Sequence, residues 1–132
     1  MDASSKKIVK DFLRAVNDNN IQAMESLLAE KHAFIDSNEN EIAGRAKVIK
    51  MWKRHFENVD AYSVAVDKMF GKEGCVVFTG EVSGFIRDKN SAEKFWRLPL
   101  SWKVKIENGK ITQWQVFEDA QAFWSLLNEL EN

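Results

Sequence analysis

The spacing of the apolar residues changes near Asp60, and this change constrains the fold more than any other feature of the chain. Before Asp60, apolar residues recur every three or four positions, which is the period of amphipathic helices. From Tyr62 onward they alternate with polar or small residues, which is the period of strands that bury one face. Leading helices followed by hairpin-linked strands predict an α+β fold, because the strand–helix alternation of α/β proteins is missing.

The helical half predicts three helices and one short strand. Ser4 and Ser5 are expected to cap the first helix. Residues 17–20 (Asn-Asp-Asn-Asn) should separate it from the second, and Gly44 should precede the third. A short strand is expected at 33–36, before the turn-rich sequence Ser-Asn-Glu-Asn. The stripes that define the three helices are Ile8, Val9, Phe12, Leu13 and Val16; Ile21, Met24, Leu27 and Leu28; and Val48, Ile49, Trp52, His55 and Phe56.

The second half predicts four strands joined by tight turns. They are expected from Tyr62 to a turn at 71–74, then at 75–86, 94–106 and 110–117. Gly80 and Gly84 allow the second strand to bend or to oppose a bulge, and Asn108-Gly109 is a strong hairpin turn. Asp119 can cap a closing helix. The inward residues of that helix would be Phe123, Leu126, Leu127 and Leu130.

These elements predict a cone. Long twisted strands with glycine bends curl, so helices packed on the concave side enclose a cone-shaped space. The predicted order is α-α-β-α-β-β-β-β-α, with a curved antiparallel sheet. The length of 132 residues fits one domain over 1–132 and is sufficient to bury a core.

The charge balance and the single cysteine narrow the class of protein. With 19 basic and 20 acidic residues the net charge is −1, which argues against a nucleic-acid partner. The N-terminal sequence has no apolar stretch long enough for a signal peptide or a membrane span. Cys75 lies in an apolar run, is not flanked closely by His, Lys or Arg, and is expected to pack as a small hydrophobe. A lone cysteine fits a reducing compartment, so we expect a cytoplasmic protein without membrane partners.

Three phrases carry a resemblance to a known superfamily. They are FLRAVNDNNIQAMESLLAE, the strand FID followed by the helix AGRAKVIKMW, and the hairpin KIENGKITQWQVFED. From about residue 8 to residue 117 the chain resembles the nuclear transport factor 2-like (cystatin-like) superfamily, which includes SnoaL-like cyclases, ketosteroid isomerases and scytalone dehydratases. The resemblance implies a strongly bent sheet closed by helices, and homodimers that pair through the outer sheet face. Enzymes, binding modules and transport adaptors share this scaffold, so function depends on the site residues.

Asp36 is the first candidate for catalysis. It ends an apolar strand before a turn and matches the general base of the ketosteroid isomerases. Desolvation at a pocket wall would raise its pKa, as proton abstraction beside a carbonyl requires. The alternative is an Asx-turn, in which the carboxylate accepts hydrogen bonds from the backbone of the following residues.

The rest of the isomerase constellation is missing. Ketosteroid isomerases use an oxyanion hole of a tyrosine and a protonated aspartate. Here the resemblance places Phe12 at the tyrosine position, and Ser101 or Trp102 at the acid position, depending on the alignment; strand alternation favours Trp102. Losing one oxyanion donor typically costs about a hundredfold in rate. The sequence therefore argues against classical steroid isomerisation.

Other chemistries of the superfamily are also incomplete. Limonene-epoxide hydrolases use an Arg-x-Asp pair, but Arg97 is followed by Leu-Pro. Scytalone dehydratases use two histidines with tyrosines. This chain has two histidines, His32 and His55, but only one tyrosine, Tyr62. His55 could face the mouth of a pocket or simply pack. Two histidines without nearby cysteines or paired carboxylates predict no metal site, and no cofactor is expected.

The aromatic residues give the broadest signal. Bulky rings on the apolar faces of several elements suit a flat apolar ligand, or they fill the cone as core. Glu118 follows period two from Trp114, which would put it on the concave face; if the strand ends at Phe117, it is a solvated turn residue. The expected pocket-lining residues are Phe12, Trp52, His55, Phe78, Trp96, Trp102, Trp114 and Glu118.

Three functions remain open from the sequence. The first is a protein that binds a small hydrophobic ligand in an aromatic-lined pocket and could act as a cofactor-independent isomerase, cyclase or dehydratase with Asp36 as base. The second is a binding module without catalysis. The third is a protein-interaction adaptor that uses the outer sheet face. A small apolar molecule and a second copy of the chain are the expected partners.

Overall fold

A computed structural model describes residues 2–87, 93–118 and 128, and shows the predicted α+β class. The helices are α1 (Asp2–Asn17), α2 (Ile21–Leu27) and α3 (Arg45–Asn58). The strands are β1 (Leu28–Ile35), β2 (Glu41–Ala43), β3 (Val59–Lys72), β4 (Cys75–Arg87), β5 (Glu93–Glu107) and β6 (Lys110–Phe117). The closing helix expected from Asp119 lies outside the described residues.

The strands form one six-stranded sheet in the order β2-β1-β6-β5-β4-β3. Neighbours are antiparallel except β1 and β6, which run parallel. The prediction of a wholly antiparallel sheet is therefore wrong at this one pair. Parallel neighbours need a long connection, and here α3 and four strands separate β1 from β6 in the chain.

The first half of the chain differs from the prediction at three boundaries. Helix α1 begins at Asp2, so Ser4 and Ser5 lie inside it and do not cap it. Strand β1 begins directly after α2. The extra strand β2 pairs with β1 across the turn that begins at Asp36. Its three residues are too few to show the alternating apolar pattern that predicts a strand. The expected break at residues 17–20 is confirmed, and Asn20 caps α2 by accepting a hydrogen bond from the Ala23 amide at 3.1 Å.

The curvature of the sheet depends on two glycines of β4. Strand β3 carries an irregularity opposite each of them: Gly84 lies opposite the segment between Asp60 and Ser63, and Gly80 lies beside the shift that follows Val66. A Cβ at Gly80 would lie 2.2 Å from the carbonyl oxygen of Ala65. One at Gly84 would lie 2.5 Å from the Val59 Cγ1. Bulges bend a strand and increase its twist, so the predicted role of both glycines is confirmed.

A single asparagine fixes α1 to the bent strand. The Asn17 Nδ2 donates to the carbonyl oxygen of Val64 at 3.0 Å, and its Oδ1 accepts from the Val64 amide at 2.8 Å. An amide side chain can satisfy both backbone groups of one residue in this way. The end of α1 is thereby held against the middle of β3, on the side that carries the buried core.

The close approach at Gly80 gives a test of the bend. Gly80→Ala should destabilise the protein by about 2 kcal/mol or more, because a backbone carbonyl, not a flexible side chain, occupies the space. Gly109→Ala is the matched control: its φ is +77° but nothing lies near its added Cβ, so a loss of about 1 kcal/mol is expected from backbone strain alone. Urea unfolding of both variants measures the difference, and equal losses would contradict this account of the bend.

Candidate functional site

Four of the predicted pocket residues meet in the interior of the cone. Phe12, Phe78, Trp102 and Trp114 are at most 2% exposed. Phe78 and Trp102 are paired across β4 and β5 and stack with ring centroids 4.5 Å apart. Phe12 contacts Trp114 at 4.8 Å, and Phe78 contacts Trp114 at 5.7 Å. These rings pack on one another, as the core interpretation of the aromatic residues expects.

A second group of rings lies around Trp52 and is partly exposed. We call it the Trp52 cluster; its members are Phe34, Trp52, His55, Phe56, Tyr62 and Trp96. Trp52 itself is buried and lies 5.7–6.3 Å, centroid to centroid, from Phe34, His55, Phe56 and Tyr62. It also contacts Phe12 at 6.1 Å, which joins the cluster to the interior group. Tyr62 in turn contacts Trp96 at 6.2 Å.

His55 and Tyr62 make the closest contact in the cluster. Their rings meet edge to face with centroids 4.3 Å apart. The Nε2 of His55 is buried and has no hydrogen-bond partner among the described residues. Burial lowers the pKa of His55 below its ordinary value of 6.5, so the ring is neutral at pH 7. Burial raises the pKa of Tyr62 to about 12, so its hydroxyl keeps its proton.

The bulge in β3 positions Tyr62. Ala61 has a φ of +54°, and Ala61 and Tyr62 together oppose Gly84, between the pairs Asp60–Phe85 and Ser63–Ser83. An extra residue in a strand re-aims the side chains around it. Tyr62 therefore contacts His55 and Trp52 on the core side of the sheet, where Val64 is also buried. Its place in the cluster was not predicted, because a bulge interrupts the period-two pattern.

Asp36 occupies the Asx-turn that the sequence left as the alternative. Its Oδ1 accepts from the amides of Asn38 and Asn40, each at 2.9 Å, and its Oδ2 accepts from the Asn40 Nδ2 at 3.2 Å. The bond from the Asn40 amide is the main cause that lowers the pKa of Asp36 below its ordinary value. The expectation of a raised pKa is therefore wrong. Hydrogen bonds to the charged form outweigh desolvation here.

Glu118 lies at the surface. Strand β6 ends at Phe117, and the exposed Glu118 accepts a hydrogen bond from the Ser37 hydroxyl at 3.0 Å. This corrects the placement of Glu118 on the concave face, because the alternation that predicted it stops one residue earlier. The Nε of Arg97 lies 3.5 Å from a carboxylate oxygen of Glu81, at an exposed site.

The surroundings of His32 and Cys75 indicate that both residues have structural roles. The buried His32 donates from Nδ1 to the carbonyl oxygen of Ile111 at 2.9 Å. Cys75 packs beside Val77 as expected, although Lys72 and Lys105 lie directly opposite it on the neighbouring strands, which the linear sequence does not show. Within residues 2–87 and 93–118, no group of three or more His, Cys, Asp and Glu residues could hold a metal ion.

The fold and its aromatic interior define a class of protein. A curved sheet closed by helices is the architecture of the nuclear transport factor 2-like superfamily, which confirms the resemblance. Residues 9–114 match the profile of the SnoaL-like domain. The chain belongs to the SnoaL-like domain family.

Solved structures share this fold at low sequence identity. A candidate SnoaL-like polyketide cyclase from Shewanella denitrificans is 15% identical with a TM-score of 0.80, over 95% of this chain and 97% of that one. A hypothetical protein of ketosteroid isomerase-like fold from Catenulispora acidiphila, in complex with trimethylamine, is 18% identical with a TM-score of 0.75, over 89% of each chain. An LEH-like epoxide hydrolase from M. tuberculosis is 14% identical with a TM-score of 0.78, over 94% of this chain and 84% of that one.

Two further findings concern sequence relatives and membrane-spanning helices. No protein in the curated set matches the chain by sequence. In the part of the chain that the structure describes, no helix is both long and apolar enough to cross a membrane.

The buried His32 and the partly buried His55 predict how stability depends on pH. Burial lowers the pKa of both His32 and His55 below 6.5. The unfolded chain therefore takes up protons before the folded protein does, and the free energy of unfolding should fall as the pH drops below 6.5. A His32→Asn/His55→Phe double variant should show a flatter dependence between about pH 7 and pH 5, where histidines of the unfolded chain take up protons. Urea unfolding over this range measures it; parallel curves for variant and wild type would contradict the prediction.

Proposed function

We propose that this protein binds a small, flat, hydrophobic ligand at the Trp52 cluster. The observation that supports the proposal most directly is the partial exposure of five rings around the buried Trp52. Small-molecule sites combine apolar and aromatic walls with a few polar groups that orient the ligand. The cluster has this composition, since His55 and Tyr62 each carry a polar atom on an aromatic ring.

The interior group favours binding at the cluster over binding deeper in the cone. Phe12, Phe78, Trp102 and Trp114 contact one another and are nearly fully buried. A ligand among them would have to separate rings that already make favourable contacts, which costs packing free energy. Rings of the Trp52 cluster still have exposed surface that a ligand could cover.

Catalysis without a cofactor is the second candidate. It is suggested by the relatives of the same fold described as a candidate polyketide cyclase and an epoxide hydrolase. Asp36 is the base that the resemblance proposes. Its low pKa makes it a weak base, however, and its oxygens already accept three hydrogen bonds. Isomerisation, cyclisation or dehydration at Asp36 therefore has less support than binding.

The outer sheet face supports a third proposal, that two copies of the chain associate or that a partner protein docks there. Phe85 and Phe95 pair across β4 and β5, are 37% and 60% exposed, and lie 5.3 Å apart. Exposed apolar patches mark association surfaces. Sedimentation velocity of Phe95→Glu against wild type tests the homodimer: an unchanged dimer, or a wild-type monomer, would overturn it.

A pair of matched variants tests the ligand site. Trp96→Leu should weaken the binding of naphthalene, a minimal flat apolar probe, by roughly fivefold or more, because it removes a ring face from the cluster. Phe95→Leu is the control, since it removes the neighbouring exposed ring from the opposite face of β5. Ligand-observed NMR titration gives both dissociation constants. Equal effects of the two variants would contradict a site at the Trp52 cluster.

Asp36→Asn separates binder from catalyst. The binding proposal expects naphthalene affinity within about twofold of wild type, because Asp36 is not a member of the cluster. If any screened polyketide or epoxide compound is turned over, the catalytic candidate expects Asp36→Asn to abolish the reaction. Turnover that survives the substitution would remove Asp36 from the mechanism.

A further inference from the structure

The Nε2 of His55 is a buried polar atom without a partner. It has almost no exposed surface and no hydrogen bond to any described residue. Most buried side-chain nitrogens and oxygens in proteins are hydrogen-bonded, and one left unpaired lowers stability. Each unpaired buried group in a native protein calls for an explanation, and an unseen bound group is one of them.

The neighbours of His55 in the cluster are aromatic rings. Tyr62, Trp52 and Phe56 lie 4.3, 5.8 and 6.1 Å from it, centroid to centroid. Ring carbons neither donate nor accept ordinary hydrogen bonds. Because the Nε2 has almost no exposed surface, a ligand reaches it only by entering between these rings, where it would bring the polar atom that the Nε2 lacks.

The state of the His55 ring determines which polar atom fits. Burial keeps the imidazole neutral at pH 7, so Nε2 is either a donor or an acceptor, according to the tautomer. A hydroxyl group can pair with either form, because it both donates and accepts. A carboxylate or an ammonium group would lose its hydration among apolar rings without gaining an opposite charge.

We infer that the Nε2 of His55 is the specificity-determining contact of the Trp52 cluster, and that it selects planar aromatic ligands that carry a hydroxyl group. This inference rests on the proposed function and deepens it by naming the ligand class. The rings supply contact area to any flat apolar molecule, whereas the hydrogen bond to His55 distinguishes a phenol from the hydrocarbon of the same shape.

The test compares 2-naphthol with naphthalene, which differ by one hydroxyl group. Wild-type protein should bind 2-naphthol roughly tenfold more tightly, as expected for one good hydrogen bond to a buried group. In His55→Phe the ring remains but the nitrogen is gone, so the two dissociation constants should agree within about twofold. Phe56→Leu is the control: it should weaken both ligands alike and keep the preference for 2-naphthol.

A second measurement keeps the inference testable if His55→Phe does not fold. In wild-type protein labelled with ¹⁵N-histidine, the Nε2 resonance of His55 should move much further on addition of 2-naphthol than on addition of naphthalene, while His32 stays constant with both. Circular dichroism establishes whether each variant is folded.

The outcomes distinguish the two proposals. If both probes bind with equal affinity and His55→Phe changes nothing, the hydroxyl selection is overturned and the proposed binding site stands. If neither probe binds to wild-type protein, the proposed function and the inference that rests on it are both overturned.

Discussion

The close approach of β3 and β4 at two glycines is the constraint on which the rest of the structure depends. No side chain fits at Gly80 or Gly84, where the backbone or a side chain of β3 occupies the position of a Cβ. With hydrogen at both positions, β3 carries irregularities opposite them and the sheet bends. Asn17 then holds α1 against the bent strand through both backbone groups of Val64. The positions of the helices, the interior rings and the Trp52 cluster on the concave side all depend on this bend.

The aromatic residues divide the concave side into two parts with different roles. The interior group is buried and packed ring on ring, so it stabilises the cone. The Trp52 cluster is partly exposed and contains the buried His55 Nε2, which has no hydrogen-bond partner among the described residues. Trp52 contacts both parts, through Phe12 on one side and His55 on the other. A ligand on the cluster would therefore rest on rings that pack against the buried interior group.

Much of the fold could be predicted from the sequence because its signals are local. The period change at Asp60, the hairpin at Asn108-Gly109 and the glycines of β4 each indicate a structure within a few residues, and each is confirmed. The parallel pairing of β1 with β6 could not be predicted, because it joins segments far apart in the chain.

The candidate site was harder to predict than the fold, and Tyr62 and Asp36 show the physical reasons. Tyr62 enters the cluster through a bulge, and a bulge breaks the alternation from which faces are predicted. Asp36 was a candidate base because its position in the chain matches the general base of the ketosteroid isomerases. Its pKa, however, depends on hydrogen bonds within its own turn. Whether rings fill a cone or line a pocket is a matter of packing, which composition does not determine.

The most direct test of the account is to locate a bound ligand relative to the two groups of rings. Protein labelled with ¹⁵N-tryptophan reports each indole N–H separately, and naphthalene can be titrated into it. We expect the signals of Trp52 and Trp96 to move while those of Trp102 and Trp114 stay in place. Movement chiefly of Trp102 and Trp114 would show a ligand inside the cone and would contradict the central claim.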